Sequence, residues 1–369
     1  MCGCLRPIMT ASTARSNMTL SPWTLVPFFA HDPSDGRRLQ QEYESIRIYA
    51  DFSNLRSGDD VFDEYIQNQL IPSALSYLEA TLKVIRFTQP IVLPYGVPCT
   101  TIYPAPELVS SGVEADLIIL VTSEDNPSTN YIAYSSPCSI STFNSRPILG
   151  MLSFNTAYLS VNQPTDLQNN LYTAIHEITH VLGFSLDLYP YFVNPATNEP
   201  LTDITGTIEL NGVSAPYINV EPLTSRVREY FGCETAVGAL LEDEGGQGSA
   251  GSHFERRVFF NEFMTANAIV DARVTNFTLA LLESSGWYQV NYSMAEPFQW
   301  GQNQGCSFYE GPCVNDDAEP NFPEFCAPLT TQGCSFTSRA IAVCGAPTTT
   351  TRDFSLPNEQ NYWGNFEQV

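Results

Sequence analysis

The chain contains four histidines: His31, His176, His180 and His253. Two of them flank a glutamate in His176-Glu177-Ile178-Thr179-His180, a match to H-E-x-x-H. On a helix, positions i and i+4 share a face, so both imidazoles can reach one metal ion. Zn²⁺ suits imidazole and in catalytic sites keeps a coordination position open for water. Glu177 lies between the two ligands and can serve as general base toward that water. Such chemistry needs no nucleophilic serine or cysteine.

Those side chains have to be held by the stretch Leu171–Ser185, LYTAIHEITHVLGFS. Upstream, Pro164-Thr165-Asp166 offers N-cap chemistry. Leu167, Leu171, Ile175, Ile178 and Leu182 recur at helical spacing and form one apolar stripe. The histidines lie beside that stripe, so the helix is expected to bury one side and present metal ligands on the other. Gly183 stands where the helix should end, because glycine accepts a left-handed C′ conformation.

A catalytic zinc site usually takes a third protein ligand. The enlarged motif H-E-x-x-H-x-x-G-x-x-H places it six residues after the second histidine. Gly183 matches, but Leu186 occupies the last position, which leaves His31 and His253 as the histidine candidates. His253 follows a glycine-rich run ending at Gly251, and Met264 comes eleven residues later.

Stepping out from the site, Ser45–Phe52 alternates apolar and polar residues as a strand does. Asp60–Leu82 has a helical pattern in which Pro72 is expected to start a second segment. Lys83–Phe87, Asp116–Thr122, Tyr131–Tyr134 and Ile148–Phe154 read as strands, with Asp116–Thr122 apolar enough to be central. Ile148–Phe154 is the expected edge strand, on which an extended peptide adds by β-augmentation. Strand, helix, strands and metal helix in that order give an α+β class. From Tyr189 to Leu223 the pattern loosens among five prolines. Thr278–Ser285 reads as a short helix, and the chain is cysteine-rich from Cys306.

The formal net charge is −24, from 40 acidic and 16 basic residues, and Lys83 is the one lysine. Such a surface repels nucleic acid and anionic lipid. Ten widely spaced cysteines suggest disulfides and an oxidising compartment. Secretion or cell-surface association is therefore expected, although no signal peptide, anchor signal or transmembrane helix is evident. Glu242-Asp243-Glu244 reads as a solvated acidic turn, and His31 as a surface or pro-segment residue rather than a ligand.

HEITHVLGFS, GSHFE at 251–255 and Phe263-Met264-Thr265 together resemble the leishmanolysin family of metzincin metalloproteases. LIPSALSYLEATLKV at 70–84, TLALLESSGWY at 278–288 and WGQNQGC at 300–306 extend the likeness over roughly residues 45–345. The resemblance implies His176, His180 and His253 as ligands of one zinc ion per chain. It implies Glu177 as catalytic base and Met264 as an apolar floor beneath the metal. It also implies disulfides Cys99–Cys138 and Cys233–Cys306. The expected fold is a catalytic subdomain with a mixed twisted sheet and active-site helix, over residues 44–188 after a leader or pro-segment. A central subdomain (189–305) and a short cysteine-rich C-terminal part (306–369) follow. The expected activity is zinc-dependent hydrolysis of peptide bonds in protein or peptide substrates. The competing reading is a proteolytically silent adhesion or interaction protein on the same fold. The sequence departs from the family pattern at Phe29, where a pro-segment cysteine is usual. It also departs at Ala266, where some metzincins carry an oxyanion-stabilising tyrosine.

Overall fold

The computed structural model describes residues 42–129, 131–161, 166–243, 249–266, 271–313, 315, 320–325, 332–334 and 341–343. In chain order the first strands and helices are β1 (Tyr43–Ser45), β2 (Ile48–Asn54), α1 (Asp60–Tyr65), α2 (Ile71–Thr81), β3 (Leu82–Ile85) and α3 (Pro106–Ser110). Then come β4 (Leu117–Glu124), β5 (Ala133–Ile140), β6 (Pro147–Asn155) and the motif helix α4 (Asp166–Leu182). The later elements are β7 (Thr205–Leu210), β8 (Val213–Ile218), α5 (Leu223–Phe231), β9 (Ala239–Leu240) and α6 (Arg256–Phe259). They are followed by α7 (Asn276–Ser284), β10 (Gln289–Val290), α8 (Cys306–Tyr309), β11 (Gln332–Cys334) and β12 (Ile341–Val343). The chain forms two compact units: one takes the described residues as far as Thr202 together with Thr278–Ala295, the other Asp203–Phe277 and the residues from Glu296. The class is α+β, as expected.

In the first unit a mixed sheet runs in the order β2-β4-β6-β5. β2, β4 and β6 are parallel, and β5 returns antiparallel to β6. The expectation that Ile148–Phe154 is the edge strand is therefore wrong: it belongs to β6, an inner strand, and β2 and β5 form the edges. The physical reason is visible in the burial, since every residue of β6 is buried. A strand covered on both faces reads as an unbroken apolar run, and PILGMLSF is such a run. Buried Asp116 pins the start of β4 by accepting from the Arg47 backbone N–H and guanidinium and from Phe87 N–H.

Asp59 caps α1, its carboxylate accepting from the N–H groups of Val61 and Phe62. Pro72 does not break the helical stretch. A single wider turn of π-helix over Ile66–Leu70 joins α1 to α2, and Pro72 falls at the start of α2, where a missing N–H is tolerated.

The second unit contains a hairpin that the loose pattern of 189–223 does not announce. β7 and β8 pair antiparallel around Asn211-Gly212, both residues with positive φ, as a type I′ turn requires. α5 ends on Gly232 in the left-handed conformation, and the disulfide Cys233–Cys306 ties the next residue to the start of α8. The other disulfide implied by the resemblance, Cys99–Cys138, is present in the first unit. Cys313 is a buried thiol. Cys2, Cys4, Phe29 and His31 lie outside the described residues. No helix among the described residues is long and apolar enough to cross a membrane.

Candidate metal centre

α4 carries the motif, and its environment changes along its length. Leu167 is exposed, whereas every residue from Ala174 to Leu182 is buried. The expected one-sided burial therefore holds only for the first half. The second half is enclosed all round, by the sheet on one face and by neighbouring segments elsewhere. Gly150 of β6 permits the close approach to the sheet: a Cβ there would meet Val181 Cγ1 at 2.4 Å. Pro164 and Thr165, the expected cap residues, lie outside the described residues, and Asp166 opens the helix itself.

At the other end, Gly183 follows the last helical residue as expected but is not left-handed, being absent from the positive-φ positions. Its role is spatial, since an added Cβ would meet Leu282 at 3.3 Å and Trp287 at 3.8 Å. The terminal carbonyls are satisfied differently. Thr179 O accepts from the N–H groups of Gly183 and Phe184, and Leu182 O accepts from the Tyr288 hydroxyl at 2.9 Å. These contacts hold the helix end that carries His180.

His180 donates from Nδ1 to Phe184 O at 2.6 Å, which in the neutral ring leaves Nε2 as the lone-pair nitrogen. That Nε2 lies 3.0 Å from His176 Nε2, the two rings meeting edge-on. His253 is fully buried, and its Nδ1 lies 3.1 Å from Ser249 O, an arrangement that likewise makes Nε2 the lone-pair nitrogen of the neutral ring. His176 and His180 belong to the first unit and His253 to the second. Two buried imidazoles on one helix face, one of them oriented by a backbone carbonyl, are donors suited to a borderline-soft divalent cation such as zinc. Phe184 and Ser249 act through main-chain oxygens, which no residue-type signal discloses.

Glu177 is completely buried. Burial pushes its carboxyl up to about 8, and a hydrogen bond from Ser135 counters part of that rise. Ser135 Oγ lies 2.7 Å from Glu177 O and 3.0 Å from Glu177 Oε2. Oε1 has no hydrogen-bond partner among the described residues. A cation next to this carboxyl would favour its ionised form and so lower its pKa.

Met264 is fully buried. Its carbonyl accepts from Phe254 N–H at 3.0 Å, which sets the Met264 turn beside the residue following His253. Glu262 braces the turn, accepting from Met264 N–H on one oxygen and from the Thr275 hydroxyl on the other. A separate acidic group, Glu242, Asp243 and Glu255, is not the fully solvated turn expected from sequence. Glu255 is buried, and Arg256, whose own pKa is lowered to about 10 by burial, is held charged by Glu242 and Glu255.

The H-E-x-x-H helix is buried against the mixed sheet of the first unit, and a buried histidine and a methionine turn follow in the second. A family model described as leishmanolysin matches residues 59–369, and the chain belongs to the leishmanolysin family. Among curated relatives, a leishmanolysin-like peptidase of Drosophila pseudoobscura pseudoobscura is 32% identical over 278 residues, covering 64% of this chain and 40% of the relative. A leishmanolysin homolog of Crithidia fasciculata is 29% identical over 276 residues, covering 71% of this chain and 39% of its own. Leishmanolysin of Leishmania major is 33% identical over 192 residues, covering 52% of this chain and 29% of its own. The matched region spans well under half the length of these relatives.

Proposed function

We propose that the chain is a zinc metalloendopeptidase, with His176, His180 and His253 as ligands and Glu177 as general base. The observation that carries this reading is the pair of ring nitrogens of His176 and His180, 3.0 Å apart, on a helix whose one acidic motif residue is fully buried; His253 joins them from the family pattern. When bound, zinc supplies Lewis acidity toward the scissile carbonyl and toward a water molecule. Glu177 takes the proton of the attacking water and passes it to the leaving amine. With a cation beside it the carboxyl is ionised and can accept that proton, and its burial helps it hold the proton until the second transfer. Met264 packs as an apolar floor and donates no ligand.

An extended peptide is the fitting substrate. β5 is one of the two edges of the sheet, and it is the strand that supplies the hydroxyl that touches Glu177. A peptide added along that edge would run past the base, with main-chain hydrogen bonds giving affinity. Two disulfides support a secreted or cell-surface location, because such bonds persist in oxidising compartments.

Glu177→Gln tests the mechanism. The variant keeps the buried shape and removes the base. It should retain one zinc per chain, measured by elemental analysis, and lose at least about a hundredfold in chelator-sensitive peptide cleavage. Undiminished cleavage refutes the general-base role, and a wild-type chain that binds zinc yet cleaves nothing favours a silent interaction protein.

A further inference from the structure

We propose that Ser135 is a positioning residue for Glu177, selecting which carboxylate oxygen faces the reaction. The inference rests on the reading of Glu177 as the base and adds a residue that the motif does not contain. Ser135 lies in β5, 42 positions before Glu177 in sequence. Its hydroxyl sits between two oxygens of the same residue, 2.7 Å from the main-chain carbonyl and 3.0 Å from Oε2. The terminal torsion of a glutamate is broad and two-fold, so packing alone sets the carboxylate plane poorly. A donor anchored on a sheet strand removes that freedom and commits Oε2 to the protein. Oε1, buried and without a hydrogen-bond partner among the described residues, is then the oxygen turned to the water. The arrangement also couples the base to the edge strand, so a peptide that adds to β5 docks on the element that orients Glu177.

Removal of the hydroxyl leaves Oε2, like Oε1, without a donor in a buried setting, where an unmade hydrogen bond is costly. The carboxylate then turns to find another partner, and the base spends part of its time misaligned.

Zinc-loaded wild type, Ser135→Ala and Ser135→Thr are compared in two ways. In steady-state cleavage of a peptide, Ser135→Ala should lower kcat by about tenfold or more with KM and zinc content unchanged, and Ser135→Thr, which keeps the hydroxyl, should recover most of the rate. In crystal structures of the zinc-loaded proteins, the Glu177 carboxylate should rotate or split in Ser135→Ala and keep its place in Ser135→Thr. An unmoved carboxylate, a wild-type kcat, or a loss confined to KM or zinc content overturns the assignment. A wild-type protein without peptidase activity refutes the enzyme reading instead, and the crystallographic comparison still decides the role of Ser135. Should alanine unfold the strand, Ser135→Cys, similar in size but a weaker donor, carries the same comparison.

Discussion

At the scale of single residues, the centre depends on how each imidazole is turned. His180 is oriented by Phe184 O and His253 by Ser249 O, so in the proposed site each ring would offer Nε2 without having to reorganise. Two histidines alone would hold zinc weakly, whereas three match the ligand count of catalytic zinc. His253→Ala is therefore expected to lower zinc affinity by about a hundredfold or more and to abolish activity, as read by competition with a chromogenic chelator. His31→Ala should do neither. Equal zinc affinity in His253→Ala and wild type would remove His253 from the ligand set. The proposed ligands can be picked out in sequence because histidine is scarce in this chain and the H-E-x-x-H spacing is a helical one. The carbonyls and the Ser135 hydroxyl cannot, since each reaches the site from a distant or chemically silent position.

At the scale of elements, the placement of the proposed ligands His176 and His180 is inherited from the packing of α4 against β6. That contact has no slack, because a Cβ at Gly150 would overlap Val181 Cγ1 at 2.4 Å and Cγ2 at 2.8 Å. Valine is stiff about χ1, so Gly150→Ala has to push the helix off the sheet or strain the strand. Overpacking of this kind costs about 1–3 kcal/mol. We expect Gly150→Ala to lower the melting temperature by several degrees and to weaken zinc binding at the same time, since Val181 adjoins His180. A variant with a lower melting temperature and unchanged zinc affinity would show that the ligands tolerate helix displacement. Much of this layer could be read in advance: α4 from its apolar spacing, β4 from its unbroken apolar run. β6 has the same kind of run, and reading it as the edge was an error that its composition already opposed. The β7–β8 hairpin was missed although Asn211-Gly212 is a strong turn signal, because the prolines around it obscured the alternation. Gly183 was placed correctly at the helix end for a reason the structure does not bear out; its neighbours Leu282 and Trp287 come from a segment about a hundred residues away, beyond the reach of local pattern.

At the scale of the whole molecule, the dominant property is charge. A net −24 on a chain of pI near 4.3 places a negative potential over much of the surface, which the buried ion pairs of Asp116 and Arg146 do not alter at a distance. Long-range fields act on encounter rather than on the chemical step, raising the local concentration of ions of opposite sign. They are also screened, the Debye length falling from about 14 Å at 50 mM to about 4 Å at 500 mM ionic strength. If the chain cleaves peptides as proposed, these facts make distinct demands on kcat/KM and on kcat. For a peptide with three or four added arginines far from the cleaved bond, kcat/KM should fall several-fold across that salt range while kcat stays nearly constant. A neutral peptide with the same central sequence should show a flat profile, and one with added glutamates should improve as salt rises. The measurement is a set of initial rates for the three peptides at fixed pH and fixed zinc. Parallel salt responses in all three would mean that substrates are not steered by the net charge, and that the acidic surface serves solubility alone.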